Sequence, residues 1–120
     1  MVEGEVRLLR ELLVELESLR NRVPESVADG SLEEALLEVS NYVPSGDPLI
    51  AGVYRSLYRN LAVEARMLAQ LAAAMRTRME RAGTPYITGV DYLRRRLDEF
   101  IERLGEYVMH LSSSARPRRV

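Results

Sequence analysis

Cysteine is absent from this chain, and so is lysine. The first absence excludes disulfides, thiol nucleophiles and cysteine-ligated metals, and it fits an intracellular, cytoplasmic protein. The second makes all 17 basic side chains arginine. Arginine keeps its charge and presents a planar fork of donors, which suits interface ion pairs and phosphates. A GC-rich genome accounts for the same bias, and a thermophilic source is compatible with it. One histidine without cysteine makes a transition-metal site improbable. No glycine-rich phosphate loop occurs. No apolar run approaches a membrane span. The start, Val2-Glu3-Gly4-Glu5, is acidic at once and does not read as a signal peptide. No strand pattern and no internal repeat stand out. The expectation is a protein with no cofactor, no bound metal and no membrane contact.

What remains is a helical pattern. At 120 residues and 47% apolar content, one domain with a modest core is expected. Charge is uneven along the chain. Residues 1–47 carry 4 arginines against 11 acids, and residues 48–120 carry 13 against 7. Acidic helices can fold onto basic ones within the monomer, or each face can meet a different partner. The first option is the cheaper account of most of the charge.

Four helices are expected, in an all-α, antiparallel arrangement with one long central helix. The first covers Glu3 to Asn21, with Leu9, Leu12, Leu13, Leu16 and Leu19 on one stripe. Pro24 suits a stop. Ser31-Leu32-Glu33-Glu34 reads as a capping box opening a second helix, striped by Leu32, Ala35, Leu36, Val39 and Val43. Pro44-Ser45-Gly46-Asp47-Pro48 is turn material ending in an N-cap aspartate and a first-turn proline. The long helix follows, with Ile50, Val53, Leu57, Leu61, Ala65, Leu68, Ala72, Met75 and Met79 at helical steps. It would be about 50 Å long. Gly83 is its expected left-handed terminus. Thr88 caps the last helix, with Asp91 as box partner. Its stripe is Leu93, Leu97, Phe100, Ile101, Leu104, Val108 and Leu111. Arg95 with Glu99, and Glu99 with Arg103, are placed to pair at i,i+4 on the wet side. Residues 1–111 form the expected domain, and residues 112–120 a disordered basic tail.

Catalytic patterns are sparse. Carboxylate pairs such as Glu33-Glu34 and Asp98-Glu99 fall on exposed faces. Arg103 and His110 stand two helical turns apart on one face. This is similar to the Arg-x(4–6)-His motif of the HEPN ribonucleases, which are also small and helical. There histidine would act as acid/base and arginine would stabilise phosphate charge. Leu104 occupies the place where those enzymes commonly carry a polar residue. A surface arginine and a helix-end histidine favoured by the dipole are much the simpler account of the pair. The Arg94-Arg95-Arg96 run, the tail and the arginines of the long helix could make weak, non-specific nucleic acid contact. Few aromatics lie among them, so base readout is not expected.

The order of elements resembles a known family. A first helix contains Leu8-Leu9-Arg10-Glu11-Leu12, and a proline link and a short acidic helix follow. A long helix opens Arg55-Ser56-Leu57-Tyr58-Arg59-Asn60 and ends Arg76-Thr77-Arg78-Met79. A final helix runs from Asp91-Tyr92-Leu93 through Phe100-Ile101 to Tyr107-Val108. This is similar to the α-helical domain of archaeal GINS subunits, in the class that places that domain first. The small β-rich domain that family members usually add does not follow here. The resemblance implies a non-enzymatic assembly subunit of the DNA replication machinery. Its implied partners are other GINS-type subunits or itself, the MCM helicase and a Cdc45/RecJ-like protein. A HEPN-type ribonuclease or a small helical subunit of another nucleoprotein complex is the alternative.

By position, Arg55, Arg59 and Asn60 would match the family's basic segment at the start of the long helix. Arg76 and Arg78, with Arg81, would match the one at its end. Leu97, Phe100, Leu104 and Tyr107, with Leu111, follow a heptad spacing suited to a helix partner. Together they are the expected interface: more apolar helix surface than one small domain covers, unless both stripes face each other inside it.

Overall fold

The computed structural model describes residues 2–42 and 48–115. Among them are five helices and no strand: α1 (Val2–Asn21), α2 (Glu25–Ala28), α3 (Ser31–Asn41), α4 (Pro48–Ala82) and α5 (Val90–Ala115). The all-α expectation holds, with one short helix more than the sequence showed. α1 packs on α3 and α5, and α4 packs on α2, α3 and α5. The four longer helices therefore form a square with α1 and α4 across the diagonal. The bundle measures 60 × 21 × 19 Å.

The expected stripes make the interior. Leu9, Leu12, Leu16 and Leu19 of α1 are buried, as are Leu32, Ala35, Leu36 and Val39 of α3. Leu61, Ala65, Leu68, Ala72, Met75 and Met79 of α4 join them. Leu93, Leu97, Phe100, Leu104, Val108 and Leu111 of α5 complete one continuous cluster. Leu13 and Ile101 are partly buried at its edge. Leu57 departs from its expected stripe and is 52% exposed, because it sits at the margin of the inward face. Val43, the Pro44–Asp47 turn and its N-cap aspartate lie outside the described residues, as do the side chains of Ile50 and Val53.

The helix ends show where local signals won or lost. Gly83 has φ +69°. Its N–H donates to the Glu80 carbonyl at 3.3 Å, and the Thr84 N–H donates to the Met79 carbonyl at 3.2 Å. That is the double closure of a Schellman end, as expected. The Ser31 capping box does not form. Gly30 flanks the helix with φ +81°, and the Ser31 hydroxyl donates its proton to Asp29 Oδ1, with the Ser26 carbonyl 3.3 Å from the hydroxyl oxygen. Asp29 also accepts the Ser31 N–H at 2.9 Å. An aspartate two residues upstream thus takes the Ser31 N–H that Glu34 would have accepted, while the Glu34 N–H donates to the Gly30 carbonyl at 3.1 Å. At α5 the helix begins at Val90 and not directly after Thr88, and the Gly89 carbonyl accepts the Leu93 N–H at 2.9 Å. α5 also runs on to Ala115, so the first four residues of the expected tail are helical. Leu111 is buried, and Arg10 Nη2 donates to Ser112 Oγ at 3.1 Å, which anchors that turn. Residues 116–120 lie outside the described residues.

Gly30 is where a side chain would collide. A Cβ there would lie 2.8 Å from Arg76 Nη1, and φ +81° is strained for any L side chain. Gly30→Ala should cost about 1–3 kcal/mol, read as a lowered urea midpoint with unchanged slope.

Candidate assembly surface

α4 spans 35 residues, about 52 Å at 1.5 Å per residue. Its inward residues are tied to both neighbours. The Tyr58 hydroxyl donates to the Val39 carbonyl in the last turn of α3 at 2.6 Å. Tyr58 is also ringed by Tyr42 and Tyr107, each with centroids at 5.2 Å. Burial pushes the Tyr58 and Tyr42 hydroxyls above the ordinary tyrosine range; nearby Tyr107 adds to the first shift, and Glu5 to the second. Arg76 Nη2 meets Glu33 of α3 at 3.0 Å. On the α5 side, Glu64 is buried and answers both Arg103 and, at 3.6 Å, Arg96. These contacts fix the rotation of α4 about its axis.

That rotation decides what α4 shows to solvent. From Asn60 through Val63, Met67, Gln70 and Ala74 to Thr77, every residue at alternating three- and four-residue steps is exposed. Val63 and Met67 are each 55% exposed. No residue on this ridge is charged, in a chain of which 29% is charged. Arg59 and Arg66 border one side, Leu57 and Arg78 the other, and all four are exposed. Arg66 leans to α3, with Nε 3.4 Å from Ser40 Oγ. Among the described residues Arg59, Arg78 and Glu80 join no ion pair.

The expected interface residues divide. Arg59, Asn60 and Arg78 do lie on this outer side of α4. The side chain of Arg55 lies outside the described residues. Arg76 faces α3 and is committed to Glu33. Leu97, Phe100, Leu104 and Tyr107 are a correction: all four are buried inside the bundle, so their heptad spacing serves their own neighbours. The two stripes face each other. Val63, Met67, Gln70, Ala74 and Thr77 were missed. Their signal was present as the same three–four spacing on the side opposite the apolar stripe.

Charge is also distributed differently from the expectation. Among the described ion pairs, only Arg76–Glu33 joins a C-terminal arginine to an N-terminal acid. Arg20 of α1 grips Asp98 of α5 through Nε at 2.6 Å and Nη2 at 3.0 Å, which holds that carboxyl below the usual range. Arg22 pairs locally with Asp29 at 3.2 Å. Asp29 is lowered first by its bonds from Ser31, and then by Arg22. Arg103 reaches Glu64 and not Glu99, so the expected i,i+4 pairing on α5 gives way to a cross-helix contact. Folding therefore leaves much of the basic and acidic surplus on the surface.

The arginine run is largely internalised in its bonding. Arg94 Nη2 donates to the Val23 carbonyl at 2.6 Å and Nη1 approaches Asp91 at 3.5 Å. Arg96 faces Glu64 and stands 6.0 Å from the centre of the Tyr92 ring. Only Arg95 of the three has no such contact among the described residues. Arg103 and His110 are both exposed on α5. With Arg103 drawn to Glu64 on α4, its charge is directed across the helix pair and not along α5 towards His110. Among the described residues no group of three His, Cys, Asp or Glu side chains could hold a metal ion. No helix among them is long and apolar enough to cross a membrane.

These features define a helical bundle with one long helix whose outer ridge is free of charge. No family model, curated protein or solved structure matches the chain.

Proposed function

We propose that this chain is a non-enzymatic assembly subunit that works by helix–helix contact along the outer ridge of α4. The observation that carries this reading is the charge-free ridge from Asn60 to Thr77, exposed on a helix held rigidly by contacts on two sides. A solvent face normally carries charge; an uncharged, partly apolar one with basic borders fits a partner helix. The order of helices and the arginines at both ends of α4 favour a GINS-like role in the DNA replication machinery. The partners would then be other GINS-type subunits, the MCM helicase and a Cdc45/RecJ-like protein.

Affinity purification from the native extract tests this. Recovery of a GINS subunit or MCM by the wild-type chain, lost with Val63→Glu/Met67→Glu, is expected. Recovery of neither overturns the replication role. The same reading expects no RNA cleavage above buffer. Cleavage by the wild type that disappears in His110→Ala would establish a ribonuclease instead.

A further inference from the structure

The ridge on α4 has an internal symmetry. Its residues repeat at the a and d spacing of a coiled coil. Laid antiparallel on a copy of itself about a two-fold axis between Met67 and Gln70, it pairs Asn60 with Thr77, Val63 with Ala74 and Met67 with Gln70. Two polar residues meet at the outer layers, a large residue meets a small one, and a flexible side chain meets an amide. The next positions outwards pair Arg81 with Ser56. Every one of these residues is exposed in the monomer.

The flanking charges obey the same register. In an antiparallel pair the residues just before each a position face one another across the seam. Here those are Arg59 with Glu80, twice, and Arg66 with Ala73, twice. Arg59 and Glu80 are exposed, and neither has an ion-pair partner among the described residues. Within one chain they stand 21 positions apart on a single helix, about 32 Å, and cannot meet. A parallel pairing has no such complement, because Arg59 would face the buried Glu64 and Arg66 would face Leu71. Nucleic acid is a poorer occupant, since Val63, Met67 and Leu57 offer nothing to a phosphate.

We infer that two copies of this chain associate antiparallel through α4, with reciprocal Arg59–Glu80 ion pairs across the two-fold axis. The inference rests on the assembly reading of α4 and names the partner as the chain itself. The contact is isologous, so it closes at two copies and does not propagate. One helix ridge is at the small end of specific interfaces, so the dimer should be concentration-dependent.

The test is mass in solution by sedimentation equilibrium from 5 to ~500 µM. The wild type should rise from 13.7 kDa towards twice that mass. Arg59→Glu alone and Glu80→Arg alone should each weaken association at least about tenfold, since each creates two like-charge pairs. The double exchange Arg59→Glu/Glu80→Arg should restore it, and so should an equimolar mixture of the two single variants. Ala74→Glu, which puts a charge in the seam, should abolish it. All three positions are exposed, and circular dichroism should show unchanged folds. A wild type that stays at 13.7 kDa throughout, singles that associate normally, or an exchange without rescue would each overturn the proposal. A solitary chain that still recovers a GINS subunit or MCM through α4 would sink self-pairing and leave the assembly reading standing.

Discussion

Replacing Phe100 with alanine should lower stability by about 3–5 kcal/mol. Phe100 is fully buried on α5, in the one continuous interior that all four longer helices share. Deleting the ring removes its transfer free energy and leaves a void that helices pinned by cross-contacts cannot close. α5 is held by Arg20–Asp98 on one side and by Arg103–Glu64 on the other, so collapse of the cavity is resisted. At roughly 4 °C per kcal/mol for a domain near this size, the melting temperature should fall by at least about 12 °C. Calorimetry checks this directly. Met109→Ala on the same helix is the control: its side chain is largely exposed, and the change should stay within about 0.5 kcal/mol. A Phe100 loss under about 1 kcal/mol would mean that the site is not the packed centre described here.

Tyr58 is the second large effect, and it separates into two parts. Tyr58→Ala removes a buried ring and its hydroxyl together, for about 3–5 kcal/mol. Tyr58→Phe keeps the ring and deletes the donor to the Val39 carbonyl. That carbonyl lies in the last turn of α3, where intrahelical partners run out. Left dry and unbonded, it should cost about 1–3 kcal/mol. The difference between the two variants therefore measures the ring alone. Alkali offers an independent check. The folded protein holds the Tyr58 and Tyr42 hydroxyls protonated, by burial first. Above about pH 10 the unfolded chain ionises these groups and the folded chain does not. Stability is thus full below that pH and falls as it rises. Tyr58→Phe should show a shallower decline, measured by denaturant midpoints between pH 9 and 11.

Much of the fold was readable because strong periodicity needs no tertiary knowledge. The stripes on α1, α3, α4 and α5 follow from 3.6-residue spacing alone, and Gly83 follows from the backbone freedom that only glycine has. The misses share a different cause. Glu34 and Asp29 compete for the Ser31 N–H, and the winner depends on a turn that spacing does not encode. Ser112 has poor helix propensity, yet a hydrogen bond from Arg10, 102 positions away, keeps it helical. The Leu97–Tyr107 stripe announced a helix partner truthfully but could not say whose. Burial within the bundle answers that, and it moves attention to the opposite side of α4. There the informative property is the missing charge on exposed positions, which becomes visible only when exposure is known.

The pairing of α1 with α5 sets an order of events during synthesis. Leu13 lies over Gly105, Arg20 grips Asp98, and Arg10 holds Ser112. Roughly 90 residues separate the middles of these helices, so translation at 5–20 residues per second leaves α1 waiting on the order of 5–20 s for its main cover. In that interval α3 is its main packing neighbour, with α2 touching only its last turns through Ser26 and Leu19. The nascent chain therefore carries a leucine-rich flank open to chaperones or to its neighbours on the same message, until the final helix leaves the ribosome and seals it.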